Sequence, residues 1–171
     1  ERAADLATRQ GRRLMLWGDR AAPRGAVRVE DGFLRSRGLG AALVPPASLG
    51  LDDLGLHYDL SHESRMERLI AASEGLSDAD RRRAERLVTR LRAAGLSKYN
   101  LAGAALPDLP TGHRILVPGQ VEDDASIRLG AGPVRSNLGL LRAVRAANPD
   151  AVILYKPHPD IEAGLRPGAV P

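Results

Sequence analysis

"HRILVPGQVEDDASIRLGAGPVRSNLGLLRAVRAANPDAVILYKPHPD", residues 113–160, decides the fold. Ile115, Leu116 and Val117 form a short apolar run closed by Pro118-Gly119, the pattern of a buried strand. Residues 120–132 are expected to form a polar loop. A helix follows over 133–149, with Pro133 near its first turn and Asn148-Pro149 at its end. Val152–Tyr155 is a second apolar run that leads into Lys156-Pro157-His158-Pro159. Strand, helix and strand at these lengths predict a βαβ unit with parallel strands, which places both strand-to-loop exits at one carboxyl edge. Ligands bind at that edge in open α/β sheets. The fold class is therefore α/β.

Upstream, 1–12 is expected to be a short helix and 14–18 a buried strand closed by Gly18. The turn 19–25 and a strand over 27–30 follow. A further short strand is placed at 55–58. Two helices come next, one to about Ser73 and one over 77–95. Ser77 caps the second, Asp78 and Asp80 suit the positive end of its dipole, and Gly95 stops it. Leu87, Val88 and Leu91 form its apolar stripe, and its arginines are expected to be a solvated face. A Pro-rich connector over 97–112 divides the chain near residue 100. The expected domains are 1–100, a partial α/β domain, and 101–171, the start of a second α/β domain.

The 171 residues are 43% hydrophobic and 27% charged, the composition of a globular chain. Zero cysteines leave disulfides and thiolate metal sites out. The net charge is +4, carried almost entirely by arginine, and 3% aromatics offer little for stacking on bases. A nucleic-acid role is not expected; it would require steeply salt-dependent binding. An anionic lipid or a phosphate-bearing ligand suits the charge better. There is no P-loop, no G-x-G-x-x-G and no His/Cys metal spacing, which disfavours an ATPase or a NAD enzyme.

Three acidic or basic groups sit where chemistry is expected. Glu30-Asp31-Gly32 lies at a strand end. "GQVEDDAS", 119–126, lies on the first exit loop of the βαβ unit, and "KPHP", 156–159, on the second. Alone, each has a plain explanation as a turn, a helix cap or a loop. Together, the last two bring Glu122, Asp123 and Asp124 towards Lys156 and His158. Carboxylates beside phosphate-binding cations suit a transferase that uses a nucleotide-activated donor.

"RVEDGFLRSRGLGA", "PPASLGLDDLGLHYD", "LSKYNLA", "GQVEDDASI" and "LYKPHPD" occur in this order from about Trp17 to Gly168. So ordered, they resemble the capsule polysaccharide biosynthesis proteins of the KpsC (LipB) type, which are bacterial β-Kdo glycosyltransferases. More loosely, the acidic pair before a glycine and the later His-Pro resemble bacterial sialyltransferases that use CMP-activated sugar acids. The resemblance implies a GT-B-like pair of Rossmann-type domains, the second incomplete here. It implies CMP-Kdo as donor and a lyso-phospholipid or Kdo-lipid as acceptor. Transfer would retain configuration and need neither metal nor cofactor. The location would be cytoplasmic, at the inner face of the inner membrane by peripheral association. The abrupt end at "GLRPGAVP" is expected to mark one module truncated at its C-terminus, and a module that only binds acceptor lipid or CMP-sugar is the alternative to an active one.

Roles follow from the resemblance. Asp124 falls on the family's Q-x-x-x-D-x-S pattern, counted from Gln120 to Ser126, and is expected to be the nucleophile, with Asp123 as the alternative. Asp31 or Glu30 would be the acid/base group, because neighbours on a strand face opposite sides and only one can enter a cleft. His158 and Lys156 would hold the leaving phosphate, and Gln120 and Ser126 would hydrogen-bond the donor. Arg35 is expected to pair with Glu30, with the Kdo carboxylate as the alternative partner. Asp52, Asp53 and Tyr58 are expected to be architectural, with contact to the acceptor as the alternative for Tyr58.

Overall fold

The computed structural model describes every residue except Glu1, Ala22, Arg24, Ala102 and Ala104. The start of the first expected helix, two positions of the 19–25 turn and two of the 97–112 connector therefore lie outside the described residues. The chain divides into two units, one of residues 1–38 and 45–100, the other of residues 39–44 and 101–171.

The first unit carries α1 (Arg2–Arg9), β1 (Met15–Trp17), β2 (Val27–Asp31), β3 (Leu49–Asp52), α2 (Arg65–Ala72) and α3 (Asp78–Ala93). Its sheet has the order β1-β2-β3, with β1 parallel and β3 antiparallel to β2. Val27 and Val29 are buried on one face of β2, as a period of two dictates. The strand expected at 55–58 is instead β3, over 49–52. Its pairing of Leu51 with Val29 and Leu49 with Asp31 fixes the assignment. Asp52 then ends β3. Its Oδ1 accepts the N–H groups of Leu54 and Gly55, and its Oδ2 accepts that of Arg65. β1 is not the buried strand expected, since Met15 and Trp17 are both exposed.

Ser64 opens α2 with a reciprocal cap. Its hydroxyl accepts the Glu67 N–H, while the Glu67 carboxylate accepts the Ser64 N–H at 2.7 Å. That N–H, and then the Ser64 hydroxyl, hold the Glu67 carboxyl below its usual range. Ser77 caps α3 through the Asp80 N–H, as expected. None of the residues of α3 is buried, however, and Leu87 and Val88 of its apolar stripe lie exposed.

The second unit carries β4 (Arg114–Pro118), α4 (Ala125–Gly130), α5 (Asn137–Ala147), β5 (Val152–Lys156) and α6 (Pro159–Glu162). β4 and β5 pair in parallel, with Val117 opposite Tyr155 and Pro118 opposite Lys156. The expected βαβ unit is present, with two corrections. The stretch 120–132 is not wholly loop, because Asp124 caps the short helix α4. The crossover helix begins at Asn137 behind a Ser136 cap, which leaves Pro133 outside it. β4 buries only Val117 fully, and Leu116 is exposed.

Candidate active site

In the first unit, Glu30 and Asp31 end β2 on opposite faces. The Tyr58 hydroxyl donates to Glu30 Oε1 at 2.5 Å, which gives Tyr58 the architectural place expected of it. Arg35 pairs with Asp31 rather than with Glu30: its Nε meets Asp31 Oδ2 at 2.5 Å. The parity of the strand and the bend at Gly32 explain the difference. Asp31 shares the side of Val29, and the chain that turns back after Gly32 brings Arg35 to that side. Gly32 is obligatory there, because a Cβ would lie 2.8 Å from the Ser48 carbonyl carbon. Arg35 is buried, and its amide and that of Ser36 both donate to the Lys98 carbonyl. Asp31 Oδ1 is buried and has no hydrogen-bond partner among the described residues. Both acids border a cavity of about 280 Å³ with Leu49, Leu51, Leu56 and Met66. At its edge Asp53 pairs with Arg65 at 2.6 Å, and this hydrogen bond lowers the Asp53 pKa.

In the second unit the two exit loops meet at the carboxyl edge of β4 and β5. The Gly119 N–H donates to the Lys156 carbonyl at 2.7 Å. Gly119 must lack a side chain: a Cβ would stand 2.5 Å from the Tyr155 hydroxyl, which packs beneath the loop. That hydroxyl is buried without a hydrogen-bond partner among the described residues, and burial, then the charge of Glu122, raises its pKa. Asp124 Oδ1 accepts both the backbone N–H (2.9 Å) and the hydroxyl (2.8 Å) of Ser126. This oxygen serves the cap. Its neighbour Asp123 is exposed and takes the Arg166 guanidinium at 2.7 Å.

His158 caps α6. Its Nδ1 accepts the Asp160 N–H at 3.1 Å, so the neutral ring carries its proton on Nε2. The 3.8 Å approach of Asp160 Oδ2 to the same nitrogen is then not a hydrogen bond. Lys156 is exposed at the end of β5, and Gln120 is exposed on the facing loop.

Asn137 and Arg166 went unnoticed in the sequence. The Asn137 side chain is buried and holds three chain segments together. It accepts the Gln120 N–H, donates to the Gln120 carbonyl and donates to the Gly168 carbonyl, each at 2.8 Å. Its own N–H donates to Glu122 at 2.7 Å. Arg166 brings a cation to the acidic loop from 43 residues away. The hydrogen bond to Asp123 raises its pKa against the opposing effect of burial, helped by the charges of Asp123, Asp124 and Asp160. A Ser-Asn pair opening a helix and an Arg-Pro-Gly after a His-Pro were the local signals. Among the described residues no cluster of His, Cys, Asp and Glu is arranged to hold a metal ion.

The chain is similar to several known proteins. Capsule polysaccharide modification protein LipA of Neisseria meningitidis is 46% identical over 145 residues, which is 84% of this chain and 20% of that protein. Lipopolysaccharide-processing protein LpsZ of Rhizobium meliloti is 45% identical over 143 residues, 81% of this chain and 32% of that protein. Two solved structures from Thermosulfurimonas dismutans are similar in fold. The KpsC β-Kdo 2,4-transferase matches with a TM-score of 0.77 and 31% identity, over 90% of this chain and 51% of that one. The KpsC β-Kdo 2,7-transferase matches with a TM-score of 0.70 and 35% identity, over 95% and 53%. The chain thus spans a fifth to a third of the curated relatives and about half of each solved chain. The family described as capsule polysaccharide biosynthesis protein matches residues 20–109 and 107–170, and the chain belongs to that family.

Proposed function

We propose that this chain acts in a glycosyltransferase of capsule polysaccharide synthesis that moves Kdo from CMP-Kdo to a lipid-linked acceptor with retained configuration. The observation that carries the proposal is the junction of the 119–126 and 156–168 segments at one sheet edge. There three acids, His158, Lys156 and Arg166 lie on adjoining loops. The Kdo transferases among its structural relatives support the sugar, and the GT-B-like domain pair is the fold in which the reaction would run.

The first step is attack by the Asp124 carboxylate on the anomeric carbon of Kdo. The bond to the phosphate breaks, CMP leaves with the electron pair, and a Kdo–Asp124 ester forms. Asp124 suits this role because Ser126 holds one oxygen and fixes the plane of the other. His158 offers its Nε2 proton and Lys156 its charge to the departing phosphate. Gln120 and Ser126 line the same loop as donor-side hydrogen-bonding groups. In the second step an acceptor hydroxyl attacks the anomeric carbon of the Kdo ester while a carboxylate takes its proton. The bond from that carbon to Asp124 breaks and the Asp124 carboxylate is released.

Asp31 is the proposed proton acceptor, because its Oδ1 is an acceptor without a partner. Glu30 already receives the Tyr58 hydroxyl. The 280 Å³ cavity with an acidic border and leucine walls suits an acceptor that is apolar in part. No helix among the described residues is long and apolar enough to cross a membrane. Peripheral attachment at the cytoplasmic face of the inner membrane is the proposed location.

The test is transfer from CMP-Kdo to a Kdo-bearing lipid acceptor, followed by mass spectrometry and by NMR of the new linkage. Asp31→Asn is expected to cut the transfer rate by about 10²–10⁴-fold, the usual contribution of a general base. Unchanged transfer in this variant would remove Asp31 from the mechanism. Binding of acceptor lipid or CMP-Kdo with no transfer would leave a binding module instead.

A further inference from the structure

Arg166 stands out because its guanidinium faces an exposed carboxylate across 43 residues of chain. The backbone around it is anchored by other groups. The Asp160 carbonyl accepts the N–H groups of Leu165 (2.9 Å) and Arg166 (3.2 Å). The Gly168 carbonyl accepts Asn137 Nδ2 at 2.8 Å. Gly168 itself, with φ 124°, fits so closely that a Cβ would stand 2.9 Å from that amide nitrogen and 3.1 Å from Glu122 Cγ. The 160–168 segment is thus fixed on both sides of Arg166 without the guanidinium.

The guanidinium is spent on Asp123, a side chain 57% exposed. Exposed ion pairs contribute little to stability, because water and salt screen both partners. A planar fork facing a carboxylate next to the candidate nucleophile has the geometry to take any carboxylate or phosphate. Lys156 and His158 are the other cations on the same edge. The Arg166 pKa is raised by charges that include Asp124. The fork therefore feels Asp124 as well as Asp123, its hydrogen-bond partner.

We infer that Arg166 is a donor-binding residue whose guanidinium exchanges Asp123 for an anionic oxygen of the donor, either its phosphate or the carboxylate of its sugar acid. The inference rests on the proposed CMP-sugar donor and adds to it the residue that reads the donor's negative charge. Asp123 is then the internal partner that the donor's anion replaces rather than a second nucleophile. The exchange moves no covalent bond: one ion pair replaces another, and Asp123 swings into water.

Calorimetric titration of the chain with CMP, cytidine and free Kdo, at one fixed salt concentration, tests this. Arg166→Ala is expected to weaken CMP or Kdo binding about ten- to hundred-fold, the worth of a charge-assisted hydrogen bond, with the melting temperature little changed. Arg166→Lys, which keeps the charge but not the fork, is expected to recover only part of the loss. A loss for CMP but not for cytidine assigns the phosphate, and a loss for Kdo with CMP unchanged assigns the carboxylate. Wild-type affinity of Arg166→Ala for both CMP and Kdo would overturn the inference while leaving the donor reading intact. If the wild-type chain bound neither probe, the donor reading would fall and the inference with it.

Discussion

The two units handle a pair of adjacent acids in parallel ways. In each, one acid receives a hydroxyl and the other an arginine. Glu30 takes Tyr58 and Asp31 takes Arg35; Asp124 takes Ser126 and Asp123 takes Arg166. The arginines differ. Arg35 lies four residues from its acid, with side chains 7% and 25% exposed. Arg166 comes from 43 residues away, with side chains 33% and 57% exposed. The first pair is sealed into the turn that ends β2, and the second is open. A sealed pair defines the shape of the chain around it, whereas an open pair can be exchanged for a ligand.

Stability measurements can break that contrast. Arg35→Ala strands the Asp31 carboxylate, one of whose oxygens already has no partner. A loss of about 3–5 kcal/mol is expected, since removing half of a buried pair leaves a buried charge. Arg166→Ala is expected to cost less than about 1 kcal/mol. Denaturant melts of the two variants decide it, and equal losses would end the distinction between sealed and open.

A smaller effect sharpens the picture of the second unit. Gly119→Ala is expected to lose about 1–3 kcal/mol through collision with Tyr155. Tyr155→Phe is expected to be neutral or stabilising, because it removes a buried hydroxyl that has no partner. In the double variant the Gly119→Ala loss should shrink. A loss unchanged by Tyr155→Phe would mean that the hydroxyl is not what the loop rests on.

The pH responses should also differ, with the smallest expected effect. Asp53, Asp59 and Glu67 in the first unit are depressed, so their stabilisation is present above the ordinary carboxylate range and is lost as pH falls through the folded values. Glu67 has an ordinary value of 4.5, so the loss begins below about that pH. Tyr155 in the second unit is raised above 10.0; its neutral form is favoured in the fold, and stability falls as pH rises past that value. Amide hydrogen exchange followed across pH should therefore show α2 loosening first in acid and the Gly119 loop first in alkali. The reverse order would contradict these assignments.

Much of this was legible locally. Ser77, Asp78 and Asp80 announce the start of α3, and the apolar runs of β4 and β5 around a capped helix announce a parallel pair. What failed depended on partners far along the chain. Residues 55–58 were read as the short strand, and only pairing with β2 selects 49–52 instead. β1 was expected to be buried because it is apolar, but burial depends on what covers a strand. A helix cap was one reading of the 119–126 loop, but the helix that Asp124 caps has six residues, too short to show a period. The acidic pairs and the cationic loop were visible as residue types. Their partners were not, because Arg166 and Asn137 act through contacts that the folded chain alone creates.

The central claim is that Asp124 forms a bond to the sugar. Mass spectrometry of the intact protein after incubation with CMP-Kdo, without acceptor, tests it most directly. The wild-type chain should gain the mass of one Kdo residue, and Asp124→Ala should gain none. The same increment on Asp124→Ala would contradict the account and move the nucleophile elsewhere.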